Sequence, residues 1–318
     1  MSSICVGAVQ AEPIYLNLRR AVNKTIDLIK EASEKGVEVL AFPEVWVGGY
    51  PWPIWSQSPF ESSEFAAKYI AESLPRESVE MRRIQRACKE FSVFVVLGYS
   101  ERDGGSIYMA QAFINAEGEI VHNRRKIKPT HVERALWGEG QADSLQCVVD
   151  SPVGKIGALN CWENMLPLLR YYEYSQGVQI HVAGWPAFPE TPEDVEFPWS
   201  YSSTAEANYR VSQMVAMEGQ TFVLCSTQIV KEDSHELLGL QDKGFISGSG
   251  GGFAMIFGPN GQPLAERVPA DEEGILTATI DLSAIHLAKH MIDTVGHYSR
   301  PDLLGLKVNN VAAKMVHE

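Results

Sequence analysis

Cysteine is scarce in this sequence, basic residues are outnumbered, and no long apolar run interrupts it; each shortage removes a class of protein. The five cysteines, Cys5, Cys88, Cys147, Cys161 and Cys225, are odd in number and widely spaced. That spacing gives neither a disulfide framework nor a CxxC metal site, so free thiols in a reducing compartment are expected, most of them buried and inert. No other metal-ligand spacing occurs, and no cofactor is expected. Lys and Arg total 27 against 40 Asp and Glu, for a formal net charge of -13. A chain of that charge repels phosphate backbones and anionic membrane surfaces, which argues against nucleic acid and membrane as partners. No apolar run reaches the length of a membrane-spanning helix. The first residues enter a strand-like run without the basic segment and apolar stretch of a secretory signal, so the chain reads as cytoplasmic.

What is present is an α/β grammar. Hydrophobic residues make up 45% of the 318 and charged residues 21%, ordinary values for a folded domain. Residues 4–8 read as a buried strand and 17–35 as a helix whose apolar face carries Leu18, Val22, Ile26, Leu28 and Ile29. Gly36 stops that helix, and 37–42 is a second strand. The stretch 43–59 is rich in Gly and Pro and reads as a long loop, a frequent home of function. Helices are expected over 62–73 and 78–91, then a meander of strands over 94–99, 108–114 and 119–126. A strand pair follows at 147–150 and 155–160, with a helix beginning near Pro167. Strand 180–183, a Pro-rich loop over 184–198, helix 204–218 and strands 222–227, 252–257 and 275–280 complete the pattern. No repeat or linker divides the chain, so one domain is expected over 1–318, with a short C-terminal extension from about 282.

The strand at 155–160 runs straight into Cys161. Free backbone N–H groups at such a strand-to-helix junction favour a thiolate and can stabilise developing negative charge, although a buried core thiol is the ordinary alternative. A thiol nucleophile needs a base. None of the eight histidines is singled out by its context; His131 and His297 both sit in plausible loops. A carboxylate is the alternative. Glu44 follows an apolar run at the carboxyl end of a strand, where α/β sheets hold ligands, and Lys126 ends another strand. Taken singly, each would be an ordinary surface charge.

Taken together, Phe42-Pro43-Glu44, Arg125-Lys126-Ile127 and Leu159-Asn160-Cys161-Trp162-Glu163 resemble, in order and spacing, the signature of the nitrilase (carbon-nitrogen hydrolase) superfamily. That family's second glutamate falls on Glu133 in Pro129-Thr130-His131-Val132-Glu133-Arg134, and the Arg-Lys-Ile motif assigns the lysine to Lys126 rather than Lys128. The resemblance extends from Val9-Gln10-Ala11 to Gly296-His297-Tyr298-Ser299-Arg300-Pro301-Asp302, a stretch typical of the nitrilase branch.

The resemblance implies a four-layer αββα sandwich. It also implies hydrolysis of a small nitrile by water to a carboxylic acid and ammonia, through a covalent thioimidate and thioester. Cys161 would be the nucleophile and Glu44 the proton acceptor. Lys126 and the Trp162 N–H would face developing charge, Glu133 would position Lys126, and Glu163 would support. Tyr50, Trp137, Trp162 and Trp185 would line the substrate pocket, favouring an apolar or aromatic nitrile. A homodimer paired through helices, or a longer spiral, is implied as well. Competing readings are an amidase or carbamoylase, a cyanide- or nitrile-hydrating enzyme, and a non-catalytic interaction subunit on the same scaffold.

Overall fold

The computed structural model describes residues 3–190, 200–241 and 248–313. The first half runs β1 (Ile4–Ala11), α1 (Leu18–Glu34), β2 (Val39–Ala41), the short α2 (Pro53–Ser56), α3 (Ser63–Ala71), α4 (Val79–Phe91), β3 (Phe94–Asp103), β4 (Ser106–Ile114) and β5 (Ile120–Arg125). The second runs β6 (Val148–Ser151), β7 (Gly154–Asn160), α5 (Pro167–Ser175), β8 (Ile180–Trp185), α6 (Ala205–Gly219), β9 (Phe222–Gln228), β10 (Met255–Phe257), β11 (Gly274–Ile280) and α7 (Ala284–Met291). Helix starts are set by short polar side chains. Asn17 Oδ1 accepts from the Arg20 N–H at 3.0 Å, Ser78 Oγ from Met81 at 3.0 Å and Thr204 Oγ1 from Ala207 at 3.2 Å. After α1, Gly36 takes φ +77, a left-handed turn that glycine adopts at little cost.

The strands lie in the order β5-β4-β3-β2-β1-β9-β8-β7-β6, with β11 beside β1 and β10 beside β9. The two halves meet where Gln10 and Ala11 at the end of β1 pair with Thr227 and Gln228. Alternation along each strand then builds the layers, because successive side chains point to opposite faces. Val6 and Ala8, Val39 and Ala41, and Val96 meet Ile156 and Ala158, Ile180 and Val182, and Phe222 and Leu224 in one central core. The intervening Val9, Leu40, Val95 and Leu97 pack outward on α1 and α4. On the other side Leu159, Ala183, Val223 and Cys225 pack toward α5 and α6. The result is helix, sheet, sheet, helix, the αββα sandwich expected. Strands buried on both faces have no polar side to show, which is why they read as continuous apolar runs.

Several elements differ from the sequence expectation. β1 and β3 run three and four residues further than expected, ending at Ala11 and Asp103. The loop after β2 contains the single turn α2, seeded by Pro53. β10 begins at Met255, because the N–H groups of Phe253 and Ala254 go to Thr227 Oγ1 and Gln10 Oε1 instead of a strand ladder. Helix α7 was not expected; it rests on the central core through one buried residue, Ile285, too little to print a periodic apolar face. Of the Pro-rich loop expected over 184–198, the part from 191 lies outside the described residues.

Candidate active site

Four strand ends converge on one place. Beyond β2, Phe42 and Pro43 lead to Glu44, which is wholly buried. The chain can pass there only because Gly98 on β3 has no side chain: a Cβ would overlap the Pro43 carbonyl. From the β9 end, Gln228 donates to the Glu44 carbonyl at 2.6 Å and accepts the Tyr50 N–H at 3.1 Å, fixing the loop on both sides of its bend. Lys126 follows β5 and is buried; its N–H donates to the Met109 carbonyl at 2.7 Å, continuing the ladder to β4. Its ammonium lies 3.0 Å from Glu44 Oε1 and 2.8 Å from Glu133 Oε2.

Glu133 sits on a 3₁₀ turn over His131–Ala135, where its Oε2 also accepts the Thr130 N–H at 2.6 Å. Its other oxygen accepts from the Tyr50 hydroxyl at 3.0 Å, and that hydroxyl accepts from Trp55 Nε1 at 2.9 Å. Glu133 is thus held from three directions. Glu44 Oε2 has no hydrogen-bond partner among the described residues, and Oε1 meets the Lys126 ammonium. One carboxylate is fixed and the other is left available.

Cys161 is the first residue of a 3₁₀ turn over Cys161–Met165, directly after β7, and α5 begins only at Pro167. The junction is therefore a tight elbow rather than the start of a long helix. Cys161 is buried, with φ +47, and the Trp162 N–H favours its thiolate form. Val45 (φ +41) and His131 (φ +46) also take left-handed backbone, so three such non-glycine residues flank Glu44, Glu133 and the thiol.

Burial decides the electrostatics. It pushes the Glu44 carboxyl up to about 8, with Glu133 and Glu163 adding to the rise and Lys126 opposing it. It also holds the Cys161 thiol well above its ordinary value, Glu44 adding to the effect while Lys126 and the Trp162 N–H pull it back. For Lys126, burial disfavours the charge, but Glu133, Glu44 and Cys161 outweigh it and the ammonium titrates well above its ordinary range. The site rests with one firm cation, a protonated thiol and a carboxyl able to hold or release a proton near pH 8.

Glu163 does more than cap a turn. It is buried and paired with both terminal nitrogens of Arg124 at 2.7 Å, and it accepts the N–H groups of Ile127 at 2.9 Å and Asn160 at 2.9 Å. Burial would raise its pKa; Arg124 and these two N–H groups overcome that and keep it below the ordinary range. One carboxylate thereby straps the residue after Lys126 to the residue before Cys161. Arg124, wholly buried, is the neighbour of the candidate site that sequence reasoning missed. Its only signal is its place two residues before Lys126, which puts both side chains on one face of a strand.

The four aromatic residues expected around the pocket lie in different surroundings. Tyr50 touches the site through Glu133 and packs on Trp52 and Trp137. Trp137 is buried with its indole N–H on Ser100 Oγ at 3.0 Å, and Trp185 is wholly buried with its N–H on Ser212 Oγ at 3.0 Å. Trp162 is half-buried, and its ring stands between His131 and Phe188. Trp55, on α2, meets the other edge of His131. Trp55, His131, Trp162 and Phe188 form a partly exposed aromatic rim beside Cys161. His297 is exposed and meets Tyr298 edge-on.

An αββα sandwich whose strand ends gather a thiol, a lysine and two glutamates defines a carbon-nitrogen hydrolase: that family's model matches residues 5–290, and the chain belongs to the family. Within it the chain falls in the nitrilase branch. It is 57% identical to a nitrilase of Talaromyces marneffei, over 98% of this chain and 97% of that one. It is 44% identical to a cyanide hydratase of Armillaria gallica, over 96% and 85% of the two chains. The carbon-nitrogen hydrolase of Helicobacter pylori G27 shares the fold at a TM-score of 0.71 and 18% identity, covering 95% of this chain and 97% of that one.

Proposed function

We propose that the chain hydrolyses an organic nitrile to the carboxylic acid and ammonia, with Cys161 as nucleophile and Glu44 as proton acceptor. The observation that carries this is the Lys126 ammonium between Glu44 and Glu133, with one oxygen of Glu44 free beside a buried thiol. The thiol passes its proton to Glu44 as sulfur bonds to the nitrile carbon. The nitrile nitrogen, facing Lys126 and the Trp162 N–H, takes up that proton and the adduct is a thioimidate. Glu44 then deprotonates a water that adds to the same carbon and returns the proton to nitrogen; the new hydroxyl gives up its proton to nitrogen through Glu44 as the C–N bond breaks, so ammonia leaves and a thioester remains. A second water adds in the same way, the C–S bond breaks, and the acid leaves as the thiol is restored. A carboxyl titrating near 8 serves as both base and acid at neutral pH. Glu133, fixed by Tyr50 and the Thr130 N–H, positions Lys126.

The aromatic rim of Trp55, His131, Trp162 and Phe188 suits an apolar or aromatic substituent on the nitrile. A second reading is favoured by the cyanide hydratase relationship. After water adds, carbon bears both the C–N and the C–S bond; if the C–S bond breaks first, the product is an amide.

The test is incubation with an aliphatic nitrile, an arylacetonitrile and their matching amides, with ammonia, acid and amide quantified. Acid and ammonia in equal amounts from the nitriles, slower turnover of the amides and no turnover by Cys161→Ala are expected. Amide as the main product establishes the hydratase reading, and preferential cleavage of amides establishes an amidase. Absence of all turnover, with Cys161 alkylated no faster than the other thiols, points to a non-catalytic subunit.

Assembly as a homodimer through the outer helices is supported by exposed apolar side chains: Leu168 on α5 and Met214 and Met217 on α6. A reducing cytoplasm suits the five free thiols. No helix among the described residues is long and apolar enough to cross a membrane.

A further inference from the structure

A second buried polar chain reaches the Cys161 elbow, independent of the residues that surround the thiol. His181, in β8, has both ring nitrogens against oxygen: Nδ1 lies 2.8 Å from Glu173 Oε1 and Nε2 2.8 Å from Asn164 Oδ1. All three residues are wholly buried. The orientation of Asn164 follows from its other contacts. Its Nδ2 donates to the Cys161 carbonyl at 2.8 Å and reaches the Leu159 carbonyl at 3.4 Å, and carbonyl oxygens only accept. Asn164 Oδ1 is therefore the acceptor toward His181, and Nε2 carries a hydrogen. His181 and Asn164 thus form a one-way donor chain that ends on the Cys161 carbonyl, with Glu173 holding the far ring nitrogen of His181.

The fold makes room for this chain. A Cβ at Gly157 on β7 would overlap Glu173 Oε1, so the carboxyl lies where any other residue at 157 would place its side chain. The carbonyl of Asn164 accepts from Arg170 Nη1 at 2.7 Å, and Arg170 is in turn paired with Glu218 on α6. Burying such a group of polar and ionisable side chains is costly, and apolar packing would often serve stability as well or better.

What the chain touches explains its presence. In a planar trans peptide the C=O and N–H point in opposite directions, so fixing the Cys161 carbonyl aims the Trp162 N–H. That N–H favours the thiolate form of Cys161, a residue held at φ +47. A donor on the carbonyl also polarises the amide and strengthens its N–H as a donor. We propose that Glu173, His181 and Asn164 are positioning residues that hold and polarise the Cys161–Trp162 peptide, so that its N–H meets the charge developing on the substrate nitrogen and oxygen. This rests on the reading of Cys161 as nucleophile.

The test compares kcat and KM of wild type with Asn164→Leu, His181→Asn, His181→Gln and Glu173→Gln in the assembled protein. Rates are expressed per Cys161 thiol titrated by a substrate-protectable alkylating reagent, so misfolded chains do not count. Losing the aim of one charge-stabilising N–H should lower kcat about 10- to 100-fold in Asn164→Leu at nearly unchanged KM. Glutamine can place a donor where Nε2 stood and asparagine cannot, so His181→Gln should keep most of the kcat that His181→Asn loses. A purely structural role would make these two losses alike. Glu173→Gln keeps an acceptor for Nδ1, is the mildest change to the fold, and should lower kcat severalfold. Unchanged kcat in Asn164→Leu or Glu173→Gln, equal losses in the two His181 variants, or losses confined to KM overturn the proposal. A wild type that turns over neither nitrile nor amide overturns the nucleophile reading and the relay with it; wild-type turnover with any of the former results overturns the relay alone.

Discussion

A carboxyl group sealed from water is a poor base in acid and a serviceable one near pH 8, and Glu44 is such a group. Its ordinary value is 4.5 and its folded value about 8, so between them the folded chain binds a proton that the unfolded chain has released. The contribution of Glu44 to stability therefore falls as pH rises from 4.5 to about 8 and is level beyond. Glu44→Gln mimics the protonated form. It should abolish turnover and raise the melting temperature relative to wild type, with a difference that is small near pH 4.5 and largest above 8; a difference independent of pH would contradict the proton count. Wild-type kcat/KM should rise over the same window as the base is unmasked.

At the scale of elements, the site depends on how strand ends are tied to one another. Arg124 at the end of β5 and Glu163 in the elbow after β7 form a buried bidentate pair that also secures the backbone at Ile127 and Asn160. Removing one partner leaves an uncompensated buried charge, so Arg124→Leu should cost about 3–5 kcal/mol in denaturant unfolding. Arg124→Leu combined with Glu163→Leu should recover much of that stability without recovering activity, because the N–H groups of Ile127 and Asn160 lose their acceptor. Recovery of both would show that the strap does not position the site. Glu44, Lys126 and Cys161 were legible in the sequence because each follows a strand within a distinctive motif. Arg124 was not. A strand residue declares its face only by alternation, and the neighbouring Arg125 makes exposed and part-buried pairs with Asp103 and Glu101 that give the segment the look of a solvated cluster.

At the scale of the whole molecule, two half-sheets meet at the end of β1 and bring Glu44, Lys126 and Cys161 to a common edge, although 117 positions separate the first from the last. The same layering leaves α5 and α6 on the outside with Leu168, Met214 and Met217 exposed. Leu168→Glu together with Met217→Glu should shift the assembly toward smaller species in light scattering while each chain keeps its fold by circular dichroism. An unchanged mass would overturn the proposed dimer through these helices.

The sequence by itself determined the order of most elements, the sandwich class and the residues that end the converging strands, because burial on both faces, helix caps and turn glycines leave local marks. It did not determine which charges are buried together. The pairing of Lys126 with Glu44 and Glu133, the Arg124–Glu163 strap and the Glu173–His181–Asn164 chain join residues from different strands and turns. A lone Glu or Lys is ordinarily a surface residue; only exclusion of water by the packed sheets made these groups one electrostatic unit. The thiol of Cys161 became distinct from four other cysteines for the same physical reason: the tertiary structure chose its neighbours.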